Sequence, residues 1–145
     1  MEKLLISACL LGENCKYDGG NNALPEETLQ ALRKAYRPVP VCPERLGGLT
    51  TPRVPCERRD GRVVNRDGED VTAAFRRGAE EALRLARENG CRRALLKARS
   101  PSCGPCAIYD GSFSHRVVPG DGVTAELLRA AGLALFDETE ISELI

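Results

Sequence analysis

Four short apolar runs along the chain have the pattern of parallel β-strands. The run at residues 3–9 is almost entirely apolar, which is typical of a strand covered on both faces. Three further runs predict strands over residues 37–42, 92–98 and 133–136. Prolines 38 and 40 place the second of these strands at the edge of a sheet or at a strand end.

Helical patterns separate these strands. A helix is predicted to begin at Pro25, because proline suits the first turn. Residues 71–86 carry apolar side chains at i, i+3, i+4 spacing, and Asn89-Gly90 provides a stop. A third helix is predicted over residues 123–131, with Asp121 as its cap.

This alternation of strands and helices predicts the fold class. We expect one α/β domain over residues 1–145, a Rossmann-like three-layer α/β/α structure with a mostly parallel sheet of about four strands. Residues 43–60 contain three prolines and two adjacent glycines, and they are predicted to form a loop. Residues 109–112 are predicted to form a hairpin turn.

The charge balance changes the picture of possible partners. Lys and Arg total 21 and Asp and Glu total 21, so the formal net charge is zero. A protein that binds long nucleic acid would normally carry a basic excess. No apolar run approaches the roughly 20 residues of a membrane span, and the N-terminus lacks a leader pattern. We therefore expect a cytoplasmic protein without a membrane or long nucleic-acid partner.

The cysteine content points to sulfur chemistry. The chain has seven cysteines and one histidine, His115. Reduced thiols are the rule in the cytoplasm, and an odd number cannot pair fully, so a disulfide framework is not expected. With a single histidine, any bound metal would be held by sulfur. Ligands of parallel sheets bind beyond the carboxyl ends of the strands. Cys9, Cys42 and Cys103 are therefore predicted to share one edge of the sheet.

The spacing of the cysteines leaves three kinds of site open. Cys103-Gly-Pro-Cys106 matches the dithiol motif of thiol–disulfide oxidoreductases, but turn and strand sequence follows it where a helix is needed. A zinc-binding structural module would use these two thiols with Cys9 and Cys15, whose gap is wide for zinc. An iron–sulfur cluster tolerates irregular spacing better. Sequence spacing alone does not decide between zinc and iron.

Other cysteines and the histidine give weaker signals. A single cysteine is usually a small buried apolar residue, and we interpret Cys91 in this way. Cys56 lies in a charged loop, and we expect no function for it. His115 lies among polar residues in the predicted hairpin and is expected to be exposed.

Several polar side chains lie close to the predicted edge. Glu44 follows the second strand and is either a general acid or base or a solvated loop charge. Arg53 and Lys97 either orient an anion or are ordinary surface charges. Ser100 and Ser102 flank a proline, where they either donate hydrogen bonds to a ligand or cap a turn.

Three sequence motifs in a fixed order give a resemblance to a known family. They are Ser-Ala-Cys-Leu-Leu-Gly-Glu-Asn-Cys-Lys-Tyr-Asp-Gly at 7–19, Val-Cys-Pro-Glu-Arg-Leu-Gly-Gly-Leu-Thr-Thr-Pro-Arg at 41–53 and Leu-Lys-Ala-Arg-Ser-Pro-Ser-Cys-Gly at 96–104. With Gly-Asp-Gly-Val-Thr at 120–124, the chain resembles a bacterial family whose characterised members are thiouracil desulfurases. The resemblance covers nearly the whole chain.

The resemblance implies an iron–sulfur enzyme that acts on a small molecule. It implies a [4Fe–4S] cluster held by three cysteines, with one open iron that binds the sulfur of a thiolated uracil. Three of Cys9, Cys15, Cys42 and Cys103 are expected as ligands, with Cys42 the one favoured to lie beside the site. Cys106 lies outside the family pattern. The implied roles are catalysis for Glu44 and Ser100, and substrate binding for Ser102, Lys97 and Asp18.

Overall fold

The computed structural model describes residues 1–145 as eight strands, four α-helices and two 3₁₀ turns. The strands are β1 (Lys3–Ser7), β2 (Arg37–Val41), β3 (Cys56–Arg59), β4 (Arg62–Asn65), β5 (Arg93–Leu96), β6 (Ala107–Tyr109), β7 (Val117–Pro119) and β8 (Ala134–Asp137). The helices are α1 (Glu26–Ala35), α2 (Pro43–Leu46), α3 (Thr72–Glu88) and α4 (Val123–Ala130). The 3₁₀ turns are Ala8–Leu11 and Ile141–Glu143.

Four strands form one parallel sheet in the order β2-β1-β5-β8. Leu5 on β1 is aligned with Val39 on β2 and with Ala94 on β5. All four predicted strands are present, and β2, which contains Pro38 and Pro40, is at an edge as predicted. The α/β class and the four-strand parallel sheet are therefore confirmed.

Helices cover both faces of this sheet. Successive β1 side chains point to opposite faces, so each face has apolar side chains that a helix can bury. Leu5 is fully buried in a cluster that includes Leu83 of α3 and Leu128 of α4. Leu4 is buried on the other face in a cluster that includes Leu32 of α1. Burial of each leucine contributes about 1.5–3 kcal/mol of transfer free energy. This arrangement gives the three layers that the pattern predicted.

The predicted helices are confirmed, with one error at a cap. Helix α1 begins directly after Pro25, and α3 ends before Asn89-Gly90. Helix α4 is present, but its N-cap is Gly122, so the prediction of Asp121 as the cap was wrong. The Asp121 carboxylate instead accepts hydrogen bonds from Arg129 Nε at 2.9 Å and from the Cys106 N–H at 2.8 Å.

The prediction of a loop over residues 43–60 was also wrong. This segment contains α2, which begins with a proline at its first helical position, and β3. Strand β3 pairs antiparallel with β4 around Asp60-Gly61, and both turn residues have positive φ angles, of 52° and 76°. Asp-Gly is a strong hairpin signal, but β3 is charged and neither flanking strand has alternating apolar residues.

A second hairpin consists of β6 and β7, with Tyr109 aligned with Val117. The predicted hairpin turn at 109–112 is therefore part of a longer loop that spans residues 110–116. None of the helices is both long and apolar enough to cross a membrane. The two hairpins lie outside the parallel sheet and supply side chains to its carboxyl edge.

Close backbone contact holds α2 in place on α3. A Cβ atom built on Gly78 of α3 would lie 1.8 Å from the carbonyl oxygen of Pro43, and one on Gly47 would lie 2.0 Å from the carbonyl oxygen of Ala74. Neither backbone oxygen can rotate away, so the approach of the two helices requires glycine at both positions. Helix α2 follows Cys42 directly and carries Glu44, so this contact positions two candidate site residues.

Candidate functional site

A cavity of about 390 Å³ opens at the carboxyl edge of the parallel sheet. Its wall includes the segments that follow β1, β2 and β5, together with parts of both hairpins. Five of the seven cysteines lie on this wall: Cys9, Cys15, Cys42, Cys56 and Cys103. The predicted convergence of Cys9, Cys42 and Cys103 at one edge is therefore confirmed.

Four of these thiols come from three different segments. Cys9 lies in the 3₁₀ turn after β1, and Cys15 lies in the loop that follows this turn. Cys42 directly follows β2, and Cys103 lies in the loop after β5. The Cys42 sulfur is 3.9 Å from the backbone carbonyl oxygen of Cys15. The sheet therefore brings together thiols that lie far apart in the sequence.

The environment separates these four thiols by acidity. Burial raises the pKa of the Cys9 and Cys103 thiols. A hydrogen bond to Cys42 raises the pKa of the Cys15 thiol, and burial adds to this effect. The same hydrogen bond, together with the backbone N–H of Arg45, lowers the pKa of Cys42 to about 6 against the opposing effect of burial. The shared hydrogen bond therefore favours the thiolate at Cys42 and the protonated thiol at Cys15.

The donor set fits an iron–sulfur cluster. Sulfur is the ligand that such clusters use, and four cysteines face one cavity that lies close to the protein surface. No three side chains of His, Cys, Asp or Glu come close enough together to hold one metal ion. A cluster is larger than an ion, so its ligands stand further apart. The sulfur donors on the cavity wall therefore fit a sulfur-ligated cluster.

Cys103 and Cys106 lie in different environments despite their motif. Cys103 is buried on the cavity wall, whereas Cys106 is exposed and does not line the cavity. The Cys106 sulfur accepts a hydrogen bond from Arg129 Nη2 at 3.4 Å. Strand β6 follows the motif directly, so the helix that a thioredoxin-type dithiol needs is absent. These contacts argue against a redox-active dithiol of Cys103 and Cys106, and against a zinc site that uses both of these thiols.

Serine hydroxyls order the loop that carries Cys103. Ser100 Oγ accepts hydrogen bonds from the Ser102 N–H at 3.1 Å and from the Cys103 N–H at 3.0 Å. The buried Ser102 hydroxyl is 2.7 Å from Thr124 Oγ1 of α4. Both serines line the cavity, as their predicted roles require. The acceptor role of Ser100 leaves its own O–H free to donate.

Glu44 forms an ion pair with Arg53 on the cavity wall. Arg53 Nε lies 2.8 Å from Glu44 Oε2, and Arg53 Nη2 contacts the same oxygen. Nη2 also donates to the carbonyl oxygen of Cys15 at 2.8 Å, and the Arg53 backbone N–H donates to the Tyr17 carbonyl oxygen at 2.7 Å. The Glu44 side chain is 16% exposed, so Glu44 is not a solvated loop charge. Arg53 links the candidate acid or base to the Cys15 loop.

The two charged candidates for substrate binding differ in position. Lys97 lines the cavity, and its ammonium group contacts the Glu138 carboxylate. Asp18 is not on the cavity wall. Its carboxylate accepts a hydrogen bond from the Gly20 N–H at 2.9 Å and lies 3.7 Å from Lys16 Nζ. Local contacts within its own loop hold the Asp18 side chain, and its role in substrate binding stays a prediction.

Sequence reasoning missed an aromatic wall. Of the six Phe and Tyr residues in this chain, three line the cavity: Tyr17, Tyr109 and Phe113. His115 is exposed as predicted, but it also lines the cavity, where its ring meets Tyr109 edge-to-face at 5.6 Å. The fold of the β6–β7 hairpin over the sheet edge brings Tyr109, Phe113 and His115 to the site, and no sequence spacing signals it.

Cys56 is the other cavity residue that sequence reasoning set aside. It begins β3, and its thiol donates a hydrogen bond to the carbonyl oxygen of Val54 at 3.4 Å. Burial raises the pKa of this thiol to about 12. Cys56 therefore lines the cavity as a neutral thiol.

Comparisons with known proteins agree with this geometry. The sequence model of the 2-thiouracil desulfurase family matches residues 4–140. A Bacillus subtilis (strain 168) protein named "Uncharacterized protein YbbK" is 38% identical in an alignment of 152 positions, gaps included, that covers 98% of this chain and 99% of that protein. The solved structure of the [4Fe-4S]-dependent thiouracil desulfidase TudS superposes with a TM-score of 0.94 at 47% identity, covering 99% of this chain and 95% of that chain.

Proposed function

The chain belongs to the 2-thiouracil desulfurase family, and we propose that it hydrolyses the C–S bond of a thiolated uracil with the aid of a [4Fe–4S] cluster. Water supplies the oxygen that replaces sulfur on the ring, and the sulfur leaves as sulfide. The carbon keeps its oxidation state, so the reaction needs no electron donor or acceptor. The observation that carries this proposal is the convergence of four thiols on one cavity.

We assign the cluster ligands to Cys9, Cys15 and Cys103, with Cys42 beside them. Cys9 and Cys15 lie on one segment after β1, and Cys103 lies across the cavity on the loop after β5. When bound through three thiolates, the cluster supplies an open iron that acts as a Lewis acid toward the substrate sulfur. The seven unpaired cysteines also favour a reducing compartment such as the cytoplasm.

The cavity has the size and lining of a small-molecule site, and the cluster and the pyrimidine would share it. Its volume of about 390 Å³ is within the roughly 300–1,000 Å³ range of small-molecule sites. Tyr109 and Phe113 present aromatic rings to it, and planar heterocycles stack on such rings. Lys97 and the Ser100 hydroxyl are polar groups on the same wall. We assign ring binding to the aromatic side chains and orientation of the ring to the polar ones.

Glu44 is the proposed group for proton transfer. It lies on the cavity wall at the start of α2, where its carboxylate either takes a proton from the attacking water or gives one to a ring nitrogen. Arg53 holds one carboxylate oxygen through two nitrogens and so fixes the orientation of the group. Ser100 remains able to donate a hydrogen bond from its hydroxyl to the substrate.

The test of this function compares two neighbouring cysteines in protein isolated without oxygen. We expect the parent protein to contain iron and sulfide in similar amounts and to convert 4-thiouracil to uracil and sulfide. Cys103→Ser should lose iron and activity, because its thiol faces the cavity. Cys106→Ser is the matched control and should keep both, because that thiol faces solvent and Arg129.

Two outcomes would contradict the proposal. A colourless parent protein with stoichiometric zinc would instead favour a zinc-binding structural module. Equal loss of iron in the Cys103 and Cys106 variants would show that both thiols act together, in conflict with the exposed position of Cys106.

A further inference from the structure

The Phe113 side of the aromatic wall depends on a contact between the two hairpins. Glu57 on β3 is 8% exposed, and its carboxylate forms no ion pair with a Lys or Arg side chain. Its Oε1 atom accepts hydrogen bonds from the N–H groups of Gly111 at 3.0 Å and Phe113 at 3.1 Å. Both donors lie in the 110–116 loop between β6 and β7. A buried carboxylate from one hairpin thus binds the loop of the other.

The 110–116 loop has a backbone conformation that needs support from its surroundings. Phe113 and His115 have φ angles of 58° and 62°, which are unfavourable for residues with a Cβ atom. Gly111 packs so tightly against β3 that an added Cβ atom would lie 2.5 Å from the Cβ of Arg59. Arg66 lies 5.8 Å from the centre of the Phe113 ring. The loop is therefore held against the first hairpin at several points.

We propose that Glu57 is a positioning residue for substrate binding, whose carboxylate holds the 110–116 loop so that the Phe113 ring forms one wall of the pyrimidine site. The inference rests on the proposed function and identifies what fixes the wall. Glu57 Oε1 accepts hydrogen bonds from both N–H groups, so removing the side chain leaves two backbone donors without their partner. The loop then relaxes from its left-handed conformation, and the ring leaves the cavity.

The reacting groups lie on other segments, which separates binding from chemistry. Glu44 is on α2, and the four candidate thiols follow β1, β2 and β5, so none of them lies on the 110–116 loop. Loss of the Glu57 contact should weaken binding of the pyrimidine and leave the chemical step intact. If Glu57 had only a structural role, its loss would lower stability or iron content instead of weakening binding at an unchanged chemical step.

The experiment measures KM and kcat for 4-thiouracil without oxygen, iron content, and the Kd of uracil by equilibrium dialysis. Glu57→Ala should raise KM and the uracil Kd about tenfold or more, because hydrogen bonds to a charged group are lost. We expect kcat to stay within about twofold and iron content to be unchanged. Glu57→Gln keeps an acceptor oxygen and should restore most of the affinity. Glu69→Ala is the matched control, an exposed carboxylate next to the same hairpin.

A double-mutant cycle with Phe113→Ala tests the mechanism. If Glu57 acts through this ring, then Phe113→Ala alone should raise KM and Kd, and adding Glu57→Ala should change them by less than about twofold. Additive effects, a fall in kcat at unchanged KM, or an unchanged KM in Phe113→Ala would each overturn the inference. Even if Glu57→Ala fails to fold, the Phe113→Ala variant alone shows whether this ring contributes to pyrimidine binding. A parent protein that neither binds uracil nor turns over 4-thiouracil would instead refute the proposed function.

Discussion

The contact between α2 and α3 allows a sharp test of how the fold positions the site. In Gly78→Ala, the new Cβ atom would lie 1.8 Å from the carbonyl oxygen of Pro43 and 2.7 Å from its carbon. An ordinary contact is about 3.5 Å, so α2 must retreat by more than about 1 Å. Both clashing atoms belong to the backbone, and no side-chain rotation can relieve the contact.

The stability change follows from two opposing effects. Alanine favours a helix over glycine by about 1 kcal/mol. Overpacking costs about 1–3 kcal/mol, and more where backbone must move. Because backbone must move here, the upper end of that cost applies, and we expect a net loss of about 2 kcal/mol, which would lower Tm by about 4–8 °C in a chain of this length. Thermal unfolding followed by circular dichroism measures this shift.

The effect on turnover should exceed the effect on stability. Helix α2 carries Glu44 and directly follows Cys42, so its retreat displaces both side chains from the cavity. A misplacement of about 1 Å can cost about a hundredfold in rate. Gly20→Ala is the control, because its Cβ atom would meet only the carboxylate of Asp18, at 3.1 Å. If Gly78→Ala keeps the parent Tm and the parent kcat, close approach of the helices does not position the site.

Two further predictions concern the ion pair on the cavity wall. Glu44→Gln should keep iron and lower kcat by about two to four orders of magnitude, which is the usual contribution of a positioned acid or base. An unchanged kcat at equal iron content would exclude Glu44 from proton transfer. The exposed Glu81→Gln should change kcat by less than about twofold. Arg53→Lys keeps the charge but cannot reach Glu44 and the Cys15 carbonyl oxygen at once, so we expect kcat to fall about tenfold with iron retained. If Arg53→Lys keeps the parent kcat, then a positive charge beside Glu44 is enough for turnover and the two simultaneous contacts of Arg53 are not needed.

The part of the site that depends on the parallel sheet could be predicted from the sequence. Apolar runs identified β1, β2 and β5, and parallel strands bring their carboxyl ends to one edge. The positions of Cys9, Cys42 and Cys103 followed from this rule. Glu44 followed in the same way, although α2 itself was missed because a single helical turn has no periodicity to detect.

The rest of the cavity depends on contacts between distant segments, for which the sequence carries no local signal. Glu57 binds a loop more than 50 residues away, and Arg53 reaches the carbonyl oxygen of Cys15. Strand β3 is rich in charge and β4 has only two adjacent valines, so neither shows the alternating pattern that predicts a strand. Only a packed structure shows that Glu57 is buried while its neighbour Arg58 pairs with Glu126 at the surface.

The contrast between Cys103 and Cys106 shows why a motif needs its structural context. A dithiol motif acts in redox chemistry when a helix begins at its first cysteine and stabilises a thiolate there. In this chain, Ser100 holds the first cysteine in a loop that turns it into the cavity, and the second cysteine leads into β6. Burial raises the pKa of Cys103, which disfavours its use as a free nucleophile, whereas binding to a metal removes the proton. Within one Cys-Gly-Pro-Cys motif, Cys103 is thus a candidate cluster ligand and Cys106 is an exposed thiol outside the cavity. The elements on either side of the motif set the direction of each side chain.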